Sequence, residues 1–138
     1  MIPAQAWCRS YLTAFNQRDV ETIVTHWAFP ALIVLKRGSF VYDSAPKFHE
    51  NTAALLTFYD EIGVVKAERT CLKAEFMTQT ELVMWAEDQF YGAGDELLAQ
   101  WQAAYALRSN SQHWQAILAS AEGEQAAWRA RGTPLPGT

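Results

Sequence analysis

The chain has 138 residues, half of them hydrophobic, with six Trp, five Tyr and seven Phe, so it holds one globular domain with a real core and no disordered module. A formal net charge of −4, with eleven scattered Lys and Arg, disfavours a nucleic-acid footprint. No window approaches the roughly 20 apolar residues of a membrane span and no basic-then-apolar leader opens the chain, so no membrane partner and a cytoplasmic location are expected.

Pro3 suits the first turn of a helix running to Asn16, with Trp7, Tyr11 and Phe15 on one face. Asp19 caps a second, short helix whose buried stripe is Val20, Ile23, Val24 and Trp27, and Phe29-Pro30 stops it. Ala31 to Leu35 reads as a strand covered on both faces. A turn over Lys36 to Ser39 leads to a short return strand, Phe40 to Tyr42. Ser44 caps a third helix, along which Phe48, Thr52, Leu55, Leu56, Tyr59 and Ile62 trace one face until Gly63. Val64 to Met77 is a less regular strand. Three long strands follow: Glu81 to Tyr91, Glu96 to Arg108 and His113 to Ala121, separated by Gly- and Ser-rich turns. Glu122 to Arg131 is a short terminal helix anchored by Trp128, and Gly132 to Thr138 is a tail.

Several of these segments carry a family likeness: Tyr11 to Asp19 (YLTAFNQRD), the helix Val20 to Trp27, the pair Phe58-Tyr59 and the last two strands. In them the chain resembles the nuclear transport factor 2-like superfamily, also called SnoaL-like or ketosteroid isomerase-like. The resemblance implies an α+β fold, a cone-shaped curved antiparallel sheet packed against three helices. Residues 1–121 would form the cone and 122–138 a C-terminal extension. It also implies a homodimer through the outer face of the sheet. In ketosteroid isomerase a first-helix tyrosine and a late-strand aspartic acid stabilise the oxyanion while a second aspartate moves the proton. The resemblance places Tyr11 at the tyrosine, Ala103 at the acid and Leu35 near the base, with Trp27 and Tyr59 at two supporting tyrosines. With both acids missing, it does not extend to steroid isomerisation.

Hairpin arithmetic supplies the rest of the site. If Gly92 to Asp95 is the turn, partners sum to 187, so Ala86 faces Trp101, Met84 faces Ala103 and Asp88 faces Ala99. The inner wall then holds Met84, Ala86, Asp88, Phe90, Trp101, Ala103, Tyr105 and Leu107, followed by Gln115, Ile117 and Ala119. A one-residue bulge would put Glu87 in place of Asp88. The outer face carries Val83, Trp85, Ala104, Ala106, Trp114, Ala116 and Leu118, with Gln100 and Gln102, too apolar for water unless the Trp128 segment folds back over it. Asp88 and Tyr11 are the candidate catalytic pair, with Tyr11 or Tyr59 as donor to the carboxylate. Tyr11, Trp27, Tyr59, Met84, Trp101, Tyr105 and Ile117 are the candidate ligand contacts. His26, His49 and His113 are expected at the surface or rim, and Cys8 and Cys71 in the core. No metal-ligand spacing or cofactor fingerprint occurs, so no metal and no cofactor are expected. The function expected is binding of a small, mainly apolar or aromatic molecule, with proton-transfer catalysis of isomerase, lyase or hydrolase type as its extension. The alternative is a non-catalytic dimeric interaction module with a self-filled cavity.

Overall fold

The Trp7, Tyr11 and Phe15 repeat forms the inward face of α1 (Ile2–Asn16) in the computed structural model, which describes residues 2–136. Asp19 caps α2 (Val20–Thr25), accepting from the Thr22 amide at 3.2 Å and its hydroxyl at 2.7 Å. The helix ends before Trp27, which opens β1 (Trp27–Leu35); the strand therefore begins four residues earlier than expected, ahead of Pro30. Pairing with the neighbouring strand is interrupted between Trp27 and Leu32, where a residue lacking an amide proton does no harm. Along β1 only Trp27 and Ala31 are buried, so the strand is half covered and not enclosed on both faces. β2 (Gly38–Tyr42) returns antiparallel, and α3 (Ala45–Glu61) buries Phe48, Thr52, Leu56 and Tyr59. Ser44 stands at its N-cap without a side-chain bond, and Gly63 leaves it at φ 90°, a left-handed turn that glycine tolerates.

β3 (Lys66–Thr78), β4 (Glu81–Tyr91), β5 (Leu97–Ser109) and β6 (Trp114–Ser120) complete a six-stranded curved sheet in the order β2-β1-β6-β5-β4-β3. The sheet is not wholly antiparallel: β1 and β6 run parallel. No hairpin joins those two strands, so no turn dictates their direction. A fourth helix, α4 (Glu122–Arg131), follows β6, and the last two tail residues, Gly137 and Thr138, lie outside the described residues.

The β4–β5 register is displaced by two residues from the hairpin estimate. Asp88 lies opposite Trp101, Met84 opposite Tyr105 and Ala86 opposite Ala103. Tyr91 pairs with Leu97 and not Glu96, and a bulge next to it adds a second residue. Two single steps cancel in the two-residue period of a strand, so every side chain keeps its expected face. Asp88, 3% exposed, is therefore inside, and Glu87 does not replace it.

On β6 a single bulge has no such compensation. Leu118 pairs with Ala106 but Ala116 with Leu107, so Ile117 is the extra residue. Ala116 and Trp114 consequently fall on the concave side, Ala116 fully buried and Trp114 against Phe76 with ring centroids 5.9 Å apart. Gln115 turns away and donates to the Thr25 and Trp27 carbonyls at 3.1 and 3.0 Å.

α4 does not cover the outer face. It closes the open end of the cone, with Trp128 fully buried between Phe90 and Trp101 at 5.9 and 5.8 Å and Tyr59 at 6.0 Å. Gly123 makes this seat possible, because a Cβ there would lie 2.5 Å from the Gln102 carbonyl oxygen.

Candidate functional site

Inside the cone the curved sheet supplies one wall and the inner faces of α1, α3 and α4 supply the other. Asp88 on β4 is directly opposite Arg69 on β3, and the two make a forked ion pair. Arg69 Nε donates to Asp88 Oδ1 at 2.5 Å and Nη2 to Oδ2 at 2.8 Å, with side chains only 8% and 4% exposed. Arg69 Nη2 also donates to the Tyr105 hydroxyl at 2.6 Å. The guanidinium is sandwiched by aromatics, its carbon 4.7 Å from the Tyr105 ring, 5.3 Å from Tyr11 and 6.0 Å from Trp7. Desolvation is the largest influence and works against its charge, but the Asp88 carboxylate, by charge and hydrogen bond, together with Tyr105 and Cys8, outweighs it, so Arg69 stays protonated. The donor holding Asp88 is thus Arg69, and neither Tyr11 nor Tyr59 bonds to it. Arg69 could have been found by the same two-residue period, since Ala67, Arg69 and Cys71 share a face of β3.

A second polar cluster comes from the terminal segment. Tyr59 donates to Glu124 Oε2, and Trp128 Nε1 donates to the same oxygen at 3.1 Å. Desolvation pushes the Glu124 carboxyl up to about 7, against the lowering effect of its two donors. Burial, then the adjacent Glu124, holds the Tyr59 hydroxyl protonated far above neutrality. Glu124 had no sequence signal as a site residue, because an acid in an Ala/Gln/Glu-rich helix reads as solvated surface.

Two chambers remain between these clusters. One, about 80 Å³, is lined by Tyr11, Leu12, Tyr59, Arg69, Asp88 and Glu124 among others. The other, about 140 Å³, is lined by Trp27, Ile33, Phe48, Thr52, Leu56 and Ala103. Tyr11, Phe15, Leu55, Trp101, Tyr105 and Glu124 border both. Of the expected contacts, Tyr11, Trp27, Tyr59, Asp88, Trp101 and Tyr105 are brought together here. Met84 is not: it is fully buried on the same inner face but packed against α1, where the Cys8 thiol lies 3.2 Å from its sulfur. Ile117, displaced by its bulge, borders neither chamber.

The remaining candidates lie elsewhere. His26 is buried and not at the rim, with Nδ1 2.8 Å from the Thr22 carbonyl and Nε2 2.8 Å from Ser10 Oγ; His113 is exposed. Cys8 is a buried thiol that burial pushes up to about 11, and Cys71 is half-buried. Among the described residues, no group of His, Cys, Asp and Glu could hold a metal ion, and no helix is long and apolar enough to cross a membrane.

This arrangement, a cone of sheet closed by helices with polar groups on its inner wall, matches a family model described as NTF2-like protein (DUF6841) over residues 3–124. The chain belongs to this NTF2-like family. Solved structures similar to this NTF2-like protein agree on the fold. A ketosteroid isomerase-like protein from Erwinia carotovora atroseptica SCRI1043 superposes with a TM-score of 0.65 at 16% identity, over 86% of this chain and 92% of the other. A domain of unknown function with a cystatin-like fold from Nostoc punctiforme PCC 73102 gives 0.66 at 14% identity, over 83% and 71%. An NTF-2 like protein of unknown function from Shewanella oneidensis MR-1 gives 0.66 at 10% identity, over 86% and 94%. No curated protein matches the chain. At such identities the likeness carries the fold and no activity.

Proposed function

We propose that the cone binds a small, mainly apolar or aromatic molecule, held at one polar end by Arg69. The observation that supports this is the pair of interior chambers, about 80 and 140 Å³, walled largely by aromatic and aliphatic side chains, with the buried Arg69–Asp88 pair and Glu124 at the polar edge of the smaller one. Asp88 orients Arg69 in this reading and moves no proton. For proton-transfer chemistry of isomerase, lyase or hydrolase type, Glu124 is the better suited group, since its proton affinity lies near neutrality. Tyr11, bordering both chambers, is a ligand contact with a hydroxyl to offer. The chambers are small beside the roughly 300–1,000 Å³ of drug-sized sites, which restricts the ligand to about one or two rings. Native mass spectrometry of the purified protein is expected to show a retained small molecule released on denaturation. A protein that carries none, and takes up none from a mixture of small aromatic compounds, ends the reading.

A dimer through the outer face is compatible with ligand binding and with the alternative of a non-catalytic interaction module. Its support is the band of Val83, Trp85, Ala104, Ala106 and Leu118, with Trp85 37% exposed and α4 turned to the other side of the sheet. Trp114 and Ala116, on the concave side, are not part of it. Sedimentation is expected to give a dimer at micromolar concentration and a monomer for Trp85→Glu. A wild-type monomer rejects the interface.

A further inference from the structure

A groove of about 520 Å³ lies outside the cone, between α1, α2 and the start of β6, and shares no lining residue with either chamber. Ile2, Pro3, Ala6 and Trp7 of α1 and Trp114 of β6 give it an apolar wall. Two polar side chains in it are joined: Ser10 Oγ lies 2.8 Å from His26 Nε2. The other ring nitrogen, Nδ1, lies 2.8 Å from the Thr22 carbonyl, which can only accept. Nδ1 therefore carries the hydrogen of the neutral imidazole, and Nε2 accepts from Ser10. The imidazole, at the C-cap of α2, is fixed in place. Its ring stands edge-on to Tyr11 at 5.6 Å and to Trp7 at 6.1 Å, and its backbone carbonyl accepts from Trp7 Nε1 at 3.2 Å and the Ala116 amide at 2.8 Å. Ser10 is exposed. A hydroxyl inside a helix commonly bonds back to the carbonyl four residues earlier, as Thr13 does to Arg9, whereas Ser10 reaches across to the end of α2.

We infer that Ser10 and His26 form a nucleophile–base pair that takes acyl groups from esters with a good leaving group, such as aryl esters of short fatty acids. The pair is independent of ligand binding in the cone. Its parts are a serine nucleophile, a histidine base within hydrogen-bond reach and a third group that orients the base, here the Thr22 carbonyl in place of a carboxylate. Ser10 Oγ attacks the ester carbonyl carbon while its proton passes to His26 Nε2. The bond from that carbon to the aryl oxygen then breaks, and the phenol leaves with the proton. Water next attacks the acyl-serine, giving a proton to Nε2. The bond to Ser10 Oγ breaks, Oγ takes the proton back, and the carboxylic acid departs. His113, exposed in the same groove, has a ring N–H to offer the developing oxyanion. The Thr22 carbonyl lacks the negative charge with which a carboxylate supports the imidazolium, so the base is a weak one. That sets the substrate class: an aryl ester, whose leaving group needs little help, and not an amide. The apolar wall suits a short alkyl chain, and the groove falls within the roughly 300–1,000 Å³ of small-molecule sites.

The test uses p-nitrophenyl butyrate. The wild type is expected to release p-nitrophenolate in a burst and to gain one butyryl group, mapped to Ser10 by mass spectrometry of its peptides. Ser10→Ala, at an exposed helical position where alanine is favoured, should fold and lose the burst. His26→Asn keeps an N–H for the Thr22 carbonyl but removes Nε2. It should slow acylation of Ser10 by about 100-fold, the worth of a positioned general base. Butyryl groups found only on lysines or on His113 overturn the pair. So does a wild type that releases p-nitrophenolate no faster than Ser10→Ala, or a His26→Asn variant labelled at Ser10 as fast as the wild type. Should His26→Asn not fold, the burst and the position of the label decide alone.

Discussion

Asp88→Asn is expected to destabilise the protein by about 3–5 kcal/mol, the cost of leaving one member of a buried ion pair without its counter-charge. The amide keeps the shape and one acceptor, but Arg69 remains buried with its charge unbalanced. At 8% exposure the guanidinium has little water to turn to. The double variant Arg69→Met/Asp88→Leu should recover most of that loss, because replacing both charges with apolar groups of similar volume removes the desolvation cost on each side. Urea denaturation of the wild type, the single and the double variant measures this. A loss under about 1 kcal/mol for Asp88→Asn would show that the pair is solvated, as surface pairs are. The double variant also separates stability from function. It should fold and yet no longer retain the small molecule, since the Arg69 guanidinium at the polar edge of the chamber is gone.

Glu124→Gln should stabilise the protein at pH 8 and have little effect below pH 4.5. The carboxyl is raised from 4.5 when unfolded to about 7 when folded, chiefly by desolvation. Between those two values the native state binds more protons than the unfolded state, so stability falls as pH rises through the window. Each decade in proton affinity is worth about 1.4 kcal/mol, which bounds the total near 3 kcal/mol. Gln accepts from Tyr59 as Glu does, yet carries no charge to desolvate. Denaturation midpoints measured from pH 4 to 8 should therefore slope for the wild type and lie flat across this window for the variant. Parallel curves would mean that Glu124 reaches water in the folded protein. The same residue links fold to site, because α4 both closes the cone and places Glu124 in it.

Much of this molecule was legible without coordinates. The repeat of Trp7, Tyr11 and Phe15 located α1, and the face of α3 was read correctly from Phe48 to Tyr59. Two-residue alternation on β4 and β5 placed Asp88, Trp101 and Tyr105 on the inner wall even though the register was displaced by two. These readings rest on periodicity, and a local period survives any error that preserves its phase.

What failed depended on partners remote in sequence. The bulge that expels Ile117 and turns Trp114 inward is a mismatch between two strands, visible in neither alone. Arg69 is unremarkable until β3 pairs with β4 and sets it against Asp88. Glu124 sits in a polar segment and becomes a site residue only because Trp128 docks among Phe90, Trp101 and Tyr59. The sequence by itself determined the elements and the face each buries, because both follow from backbone geometry repeated over a few residues. The tertiary structure alone decided which charged groups are buried together, because desolvation and Coulomb attraction act through space between strands and helices that the chain order keeps apart.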